Sequence, residues 1–184
     1  MMQDLAMQIM EIMQNSIQAK ASEISLQFTD SAKNNRISFE ITDNGTGMSE
    51  DTVKKITNPF ITSRMTRKIG MGLAFLKQTV DQCDGSLEIC SKPMKGTAVK
   101  AELRRDCIDT PPTGDLGELM MECIQANEKI AYRFEYRSDQ GCFSFDTDSV
   151  VKELDGVSIC EPEVLLWIKE FINQGIQQTK EERK

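Results

Sequence analysis

The 184-residue sequence contains no histidine. That absence removes histidine general bases, metal ligands and phosphoacceptors together. The six cysteines, at positions 83, 90, 107, 123, 142 and 160, form no Cys-x-x-Cys pair. Neither a structural zinc site nor a disulfide framework is therefore expected, and reduced thiols of a cytoplasmic protein are. No apolar run approaches the ~20 residues that span a bilayer. Residues 1–10 also lack the basic start and unbroken apolar stretch of a secretory signal. Basic charge is not in excess either. A net charge of −7 argues against nucleic acid as a partner, since phosphate-backbone binding needs a basic face. No membrane partner is expected.

What is present is an ordinary globular composition, with 39% hydrophobic and 28% charged residues, enough for one domain or one plus an appendage. The charge is unevenly placed. Residues 1–112 carry 14 acidic and 14 basic side chains, whereas residues 113–184 carry 15 acidic and 8 basic. The break coincides with Thr110-Pro111-Pro112-Thr113-Gly114, a turn-rich stretch that reads as a boundary. Two units are expected, residues 1–109 and an acidic α+β unit over 113–184.

Periodicity supplies the elements. Leu5, Ile9, Ile12 and Ser16 form one line, and Met10, Met13 and Ile17 its neighbour, which predicts a helix from about Asp4 to Ala21. Alternation at Ile24, Leu26, Phe28 and at Ile37, Phe39, Ile41 predicts two strands joined by a hairpin loop over 30–35. A short capped helix is expected over 49–56, a second over 72–83, and strands over 87–90 and 97–103. The acidic remainder reads as a helix over 116–127 and strands over 130–137 and 142–146. Helices over 149–154 and 161–178 follow, with a frayed tail from Lys180.

Several residues point to chemistry. Glu11 and Asn15 are four apart, so a carboxylate and an amide share one helix face. The amide oxygen suits Mg²⁺ and the carboxylate suits a general base, although a solvated face gives the same pattern. Asp43 shares the parity of Ile37, Phe39 and Ile41, which turns its carboxylate toward the apolar side of the strand. Gly45 and Gly47 follow and allow a flat ligand to approach the backbone, but Asp43-Asn44-Gly45 is equally a turn sequence. Thr97 shares parity with Val99, Ala101 and Leu103, which places a hydroxyl on the same face. Gly70 and Gly72 precede a helix whose free N–H groups can cradle phosphate, next to Arg64, Arg67 and Lys68.

The order of these motifs resembles the GHKL ATPase superfamily, which includes DNA gyrase, the Hsp90 class of chaperones, histidine kinases and MutL. Glu11 to Ala19 resembles its N box and Asp43-Asn44-Gly45-Thr46-Gly47-Met48 its first glycine box. Pro59-Phe60-Ile61-Thr62 and Gly70-Met71-Gly72-Leu73 are similar to the lid entry and second glycine box, and Gly96-Thr97 completes the series. The resemblance covers roughly residues 4–105.

It implies a Bergerat-type two-layer α/β sandwich, with helices on a mixed sheet, plus the small C-terminal α+β domain. It implies Mg-ATP as ligand, Asn15 on the metal and Asp43 accepting from the adenine amino group. Thr97 would support the base, Thr62 would line the lid, and Gly45, Gly47, Gly70 and Gly72 would give backbone access. Where the kinase-type second box has a third, earlier glycine, this chain has Lys68, which implies either a stiffer lid or a lysine that meets phosphate. Three activities are open. One is ATP hydrolysis or phosphoryl transfer to a partner hydroxyl with Glu11 as general base. Another is a histidine-kinase-like module acting on a partner, and the last a non-catalytic ATP-sensing module. The acidic C-terminal unit is expected to take a protein partner and to be dispensable for nucleotide binding, because every motif precedes it.

Overall fold

A computed structural model describes residues 4–56 and 72–181. The chain runs α1 (Leu5–Gln18), β1 (Glu23–Ser31), β2 (Arg36–Asp43), α2 (Glu50–Ile56), α3 (Gly72–Gln82), β3 (Ser86–Ser91) and β4 (Thr97–Arg104). It continues with α4 (Leu116–Ala126), β5 (Ala131–Ser138), β6 (Cys142–Asp146), α5 (Thr147–Glu153) and α6 (Pro162–Lys180). Each expected element is found. Helix α6 continues to Lys180 and buries Thr179, whose hydroxyl donates to the Ile176 carbonyl; residues 182–184 of the expected frayed tail lie outside the described residues.

The six strands form one mixed sheet in the order β3-β4-β2-β1-β5-β6. Register explains why only one face is covered. Ile24 stands opposite Asp43 and Tyr132, Leu26 opposite Ile41 and Phe134, and Phe28 opposite Phe39 and Tyr136. Period-two alternation therefore gathers the large apolar side chains on a single face, against which the helices pack. The rows between them, such as Glu40 beside Gln27 and Lys100, face solvent. Phe28 lies at the centre, stacked on Phe39 and on Tyr136 at centroid distances of 6.4 and 5.6 Å.

The segment after residue 112, expected as a second unit, joins the same sheet. Its strand β5 pairs parallel with β1, so the sheet is continuous across the charge break. Its helix α4 packs on α1, with the Cys123 thiol 3.7 Å from the Met10 sulfur. Desolvation pushes that thiol up to about 12. The turn-rich connection is itself a clamp: the Leu5 and Ala6 N–H groups donate to the Pro112 and Thr113 carbonyls, each at 2.9 Å. These N–H groups begin a helix and have no partner within it, so the boundary sequence caps α1 from outside. Composition changed at residue 112 because the two halves have different surfaces, while their buried faces are shared.

Asp115 ties the acidic half together. It caps α4 by accepting from Glu118 N–H at 2.8 Å, accepts from Asn173 Nδ2 of α6 at 2.8 Å, and pairs with Lys169. Burial alone would raise its carboxyl, but the Glu118 N–H, the Asn173 amide and Lys169 outweigh burial and hold it below its ordinary value of 3.8. A carboxyl lowered in the folded state stabilises above its unfolded value and loses that effect as pH falls through the folded one. Asp115→Ala should therefore lower the unfolding midpoint at neutral pH, the lost cap being worth about 0.5–2 kcal/mol. The gap between variant and wild type should close as acid titrates the native carboxyl, which thermal melts across pH 2–7 would check.

Candidate functional site

A cavity of about 480 Å³ opens where α1 ends over β2 and β4. Its floor is apolar, with Ile41 and Val99 from the sheet and Ile12 and Leu73 from the helices. A space of this size with one polar end suits a flat, partly apolar ligand.

Asp43 supplies the polar end. It is the last residue of β2, on the covered face as its parity required, and is only 8% exposed. A carboxylate so placed needs hydrogen bonds. Its Oδ1 accepts from Gly45 N–H at 2.9 Å and its Oδ2 accepts from Ser16 Oγ–H at 2.7 Å. Thr97 is directly opposite on β4, with its hydroxyl 2.9 Å from Ser91 Oγ. Ser91 Oγ accepts from Met48 N–H at 2.8 Å and donates to the Gly96 carbonyl at 3.0 Å. A hydroxyl has one proton to give. With that proton of Ser91 committed to Gly96, Thr97 donates to Ser91 and keeps its own lone pairs. Asp43 and Thr97 thus present acceptors to the cavity.

The first glycine box folds beneath the end of α1. Thr46 N–H donates to the Ala19 carbonyl at 2.9 Å, and a side chain at Gly45 would meet that carbonyl at 2.7 Å. Gly47 lies in the left-handed region at φ +63°, with the Lys92 carbonyl 2.0 Å from where a Cβ would stand. Any other residue would combine backbone strain with a clash, so this turn requires glycine. Asp43-Asn44-Gly45 is therefore both turn and site: Asn44 Oδ1 accepts from Ser22 and Glu23 N–H while Asp43 faces the cavity.

Asn15 lines the same cavity, and its buried Nδ2 has no hydrogen-bond partner among the described residues. An unpaired buried amide is costly in a closed protein, and a ligand in the cavity would offer it an acceptor. Glu11, one turn earlier, does not line this cavity. It faces the start of α3, where a Cβ on Gly72 would come within 2.7 Å of the Glu11 Cβ. Gly72 accordingly serves close packing of α3 on α1. Glu11 also borders a smaller groove toward α4, of about 380 Å³, with Asp4, Asp115, Glu118 and Glu122. The remaining expected residues, Thr62, Lys68 and Gly70, lie outside the described residues.

Two site residues escaped the sequence reading. Ser16 stands in line with Leu5, Ile9 and Ile12, and a lone hydroxyl in an apolar stripe was the available signal for the Asp43 contact. Ser91 shares parity with Leu87 and Ile89, but nothing in the sequence aligned β3 with Thr97. That alignment is a property of the sheet register.

Residues 3–106 match the family described as histidine kinase-, DNA gyrase B- and HSP90-like ATPase. Among curated proteins, the sensor kinase CckA of Brucella abortus is 33% identical over 86 residues, 46% of this chain and 9% of that protein. Sporulation kinase B of Bacillus subtilis is 29% identical over 99 residues, 53% of this chain and 23% of that protein. The chain thus spans less than a quarter of the length of either kinase. Among solved structures, the Aquifex aeolicus MutL ATPase domain complexed with ADP is 17% identical. It covers 76% of this chain and 61% of its own, with a TM-score of 0.44.

Proposed function

Because the chain belongs to the histidine kinase-, DNA gyrase B- and HSP90-like ATPases and carries their ATP-binding module, we propose that it binds Mg-ATP in the cavity at Asp43 and transfers or hydrolyses the γ-phosphate. The observation supporting this most strongly is the acceptor pair Asp43 and Thr97 at the end of an apolar slot. An adenine base offers an amino group there, whereas guanine would offer a carbonyl to a carboxylate. Leaving that pair unmatched in a buried site costs on the order of 1–3 kcal/mol. ATP should therefore bind at least about fivefold more tightly than GTP in a calorimetric titration.

The Asn15 Nδ2, unpaired among the described residues, would suit a phosphate oxygen beside α1, and its Oδ1 is a side-chain oxygen that could hold Mg²⁺. The metal would supply charge neutralisation on the phosphates. Glu11 makes no side-chain hydrogen bond or ion pair with any described residue. A carboxylate one turn from Asn15 with no partner among the described residues can take a proton from water or from a partner hydroxyl.

Asn15→Ala is expected to lose the Mg²⁺-dependent part of ATP binding. Glu11→Gln should bind ATP as the wild type does and lose hydrolysis or hydroxyl transfer by roughly 10²–10⁴-fold. A radiolabelled phosphate assay read beside calorimetry would check both. A second reading is favoured by the two kinases among the relatives. In it, the chain phosphorylates a partner's histidine, which already has a nucleophilic nitrogen and needs little help from a base. The chain has no histidine of its own to accept phosphate. Wild-type transfer by Glu11→Gln to a histidine-bearing partner would establish that reading over the first.

A further inference from the structure

The far edge of the sheet carries a feature that the nucleotide cavity does not use. Between α5 and α6, against β6, lies a groove of about 530 Å³. Its base is Phe145 and Val150, and its wall is Trp167 and Phe171, stacked at a centroid distance of 5.1 Å and 16° between planes. Phe171 is also edge-on to Phe143 at 5.5 Å, which fixes the pair in place. Trp167 is nonetheless 49% exposed and Phe171 40%. Side chains of this size held rigid and half in water mark an interaction surface when they lie together around a groove.

The rim has one sign. Asp146, Glu153 and Glu163 line the groove, and among the described residues no lysine or arginine does. Asp146 is occupied in capping α5, where it accepts from Ser149 N–H and Oγ–H. Glu153 and Glu163 make no side-chain hydrogen bond or ion pair with any described residue. From Asp146 to Glu170 the chain carries seven carboxylates and two amines. A second copy would bring the same acidic rim and a net charge of −7 against it, so self-association there is opposed.

We infer that this groove is a docking site for an amphipathic helix of a partner protein, with aliphatic residues along one face and lysine or arginine beside them. The aliphatic residues would fill the space between α5 and α6. The cations would meet Glu153 and Glu163 and the faces of Trp167 and Phe171, which attract positive charge. The groove is at the β6 edge, three strands from Asp43, and its assignment does not depend on how the nucleotide is used.

Trp167 is the only tryptophan in the chain, so its fluorescence reports the groove directly. The probe is a synthetic fourteen-residue helical peptide of leucine and lysine, with leucine at i, i+3 and i+4 spacing. Its counter-probe has glutamate in place of lysine. The lysine peptide is expected to shift Trp167 emission and bind saturably, and the glutamate peptide to do neither. Glu153→Gln with Glu163→Gln should weaken binding at least fivefold without changing ATP affinity. Glu88→Gln with Glu102→Gln, which removes the same charge from the solvent face of the sheet, should bind as the wild type. Equal binding of both peptides, no binding, or equal loss in both double variants would overturn the assignment. So would a concentration-dependent Trp167 emission with dimers in sedimentation, which would give the groove to a second copy.

Discussion

Replacing Asp43 by alanine or by asparagine is expected to weaken ATP binding by this protein roughly ten- to a hundredfold. The two substitutions fail for different reasons, and together they separate the site from the fold. Alanine removes both acceptor oxygens, leaving Ser16 Oγ–H and Gly45 N–H without the partners they have at 2.7 and 2.9 Å. Ser16 retains a second acceptor in the Ile12 carbonyl at 3.5 Å, so the cost in stability should be modest, about 1–3 kcal/mol. Asparagine keeps the volume and one acceptor oxygen but turns an N–H₂ group toward another donor. It should fold like the wild type and bind ATP no better than alanine does. Loss of a charge-assisted hydrogen bond at about 1.5–3 kcal/mol corresponds to a fall of roughly ten- to a hundredfold in affinity. Calorimetry on both variants, with circular dichroism to establish folding, would measure this. Wild-type affinity in a folded Asp43→Asn protein would move the site elsewhere.

A chain ending at Asp109 should fail to fold, although it contains every motif of the proposed nucleotide site. Removing β5 and β6 strips the parallel partner from β1 along its length, from Glu23 to Asp30. It leaves a nine-residue strand with one edge unpaired, an arrangement prone to pair with other copies. It also uncovers Phe28, now stacked between Phe39 and Tyr136, and removes α4 from the flank of α1. Exposing one large buried side chain costs about 1.5–3 kcal/mol, and this cut exposes several, against a total stability of about 5–15 kcal/mol. The expected result is aggregated or molten protein by size exclusion and near-ultraviolet circular dichroism. A compact, ATP-binding fragment would show that the acidic half is a true appendage after all.

That contrast shows where the sequence was informative. Local elements were legible because period-two and helical patterns are written in neighbouring residues: Ile37, Phe39 and Ile41 predicted both the strand and the inward turn of Asp43. The glycine box was legible because few sequences can pass beneath a helix end as Gly45 and Gly47 do. Pairings between distant segments were not. Nothing in Tyr132, Phe134 and Tyr136 says that they continue the row begun by Ile24, Leu26 and Phe28. The shift to acidic composition pointed the other way, since it records the exposed surface, and the exposed surface is where charge is tolerated. Glu11 and Asn15 share a helix face as their spacing required. Spacing alone could not show that α3 packs beside the first while the second opens on the cavity.

The ATP site is proposed to be the cavity at the end of β2, with its apolar floor and the Asp43 and Thr97 acceptors. Titrating ¹⁵N-labelled protein with Mg-ATP and following amide resonances tests it directly. Backbone amides of Asn15 to Ala19, Asp43 to Met48 and Thr97 should show the largest shifts, with those around Trp167 unmoved. Shifts confined to the β6 edge, or saturation with no change at Asp43, Gly45 and Thr97, would contradict it.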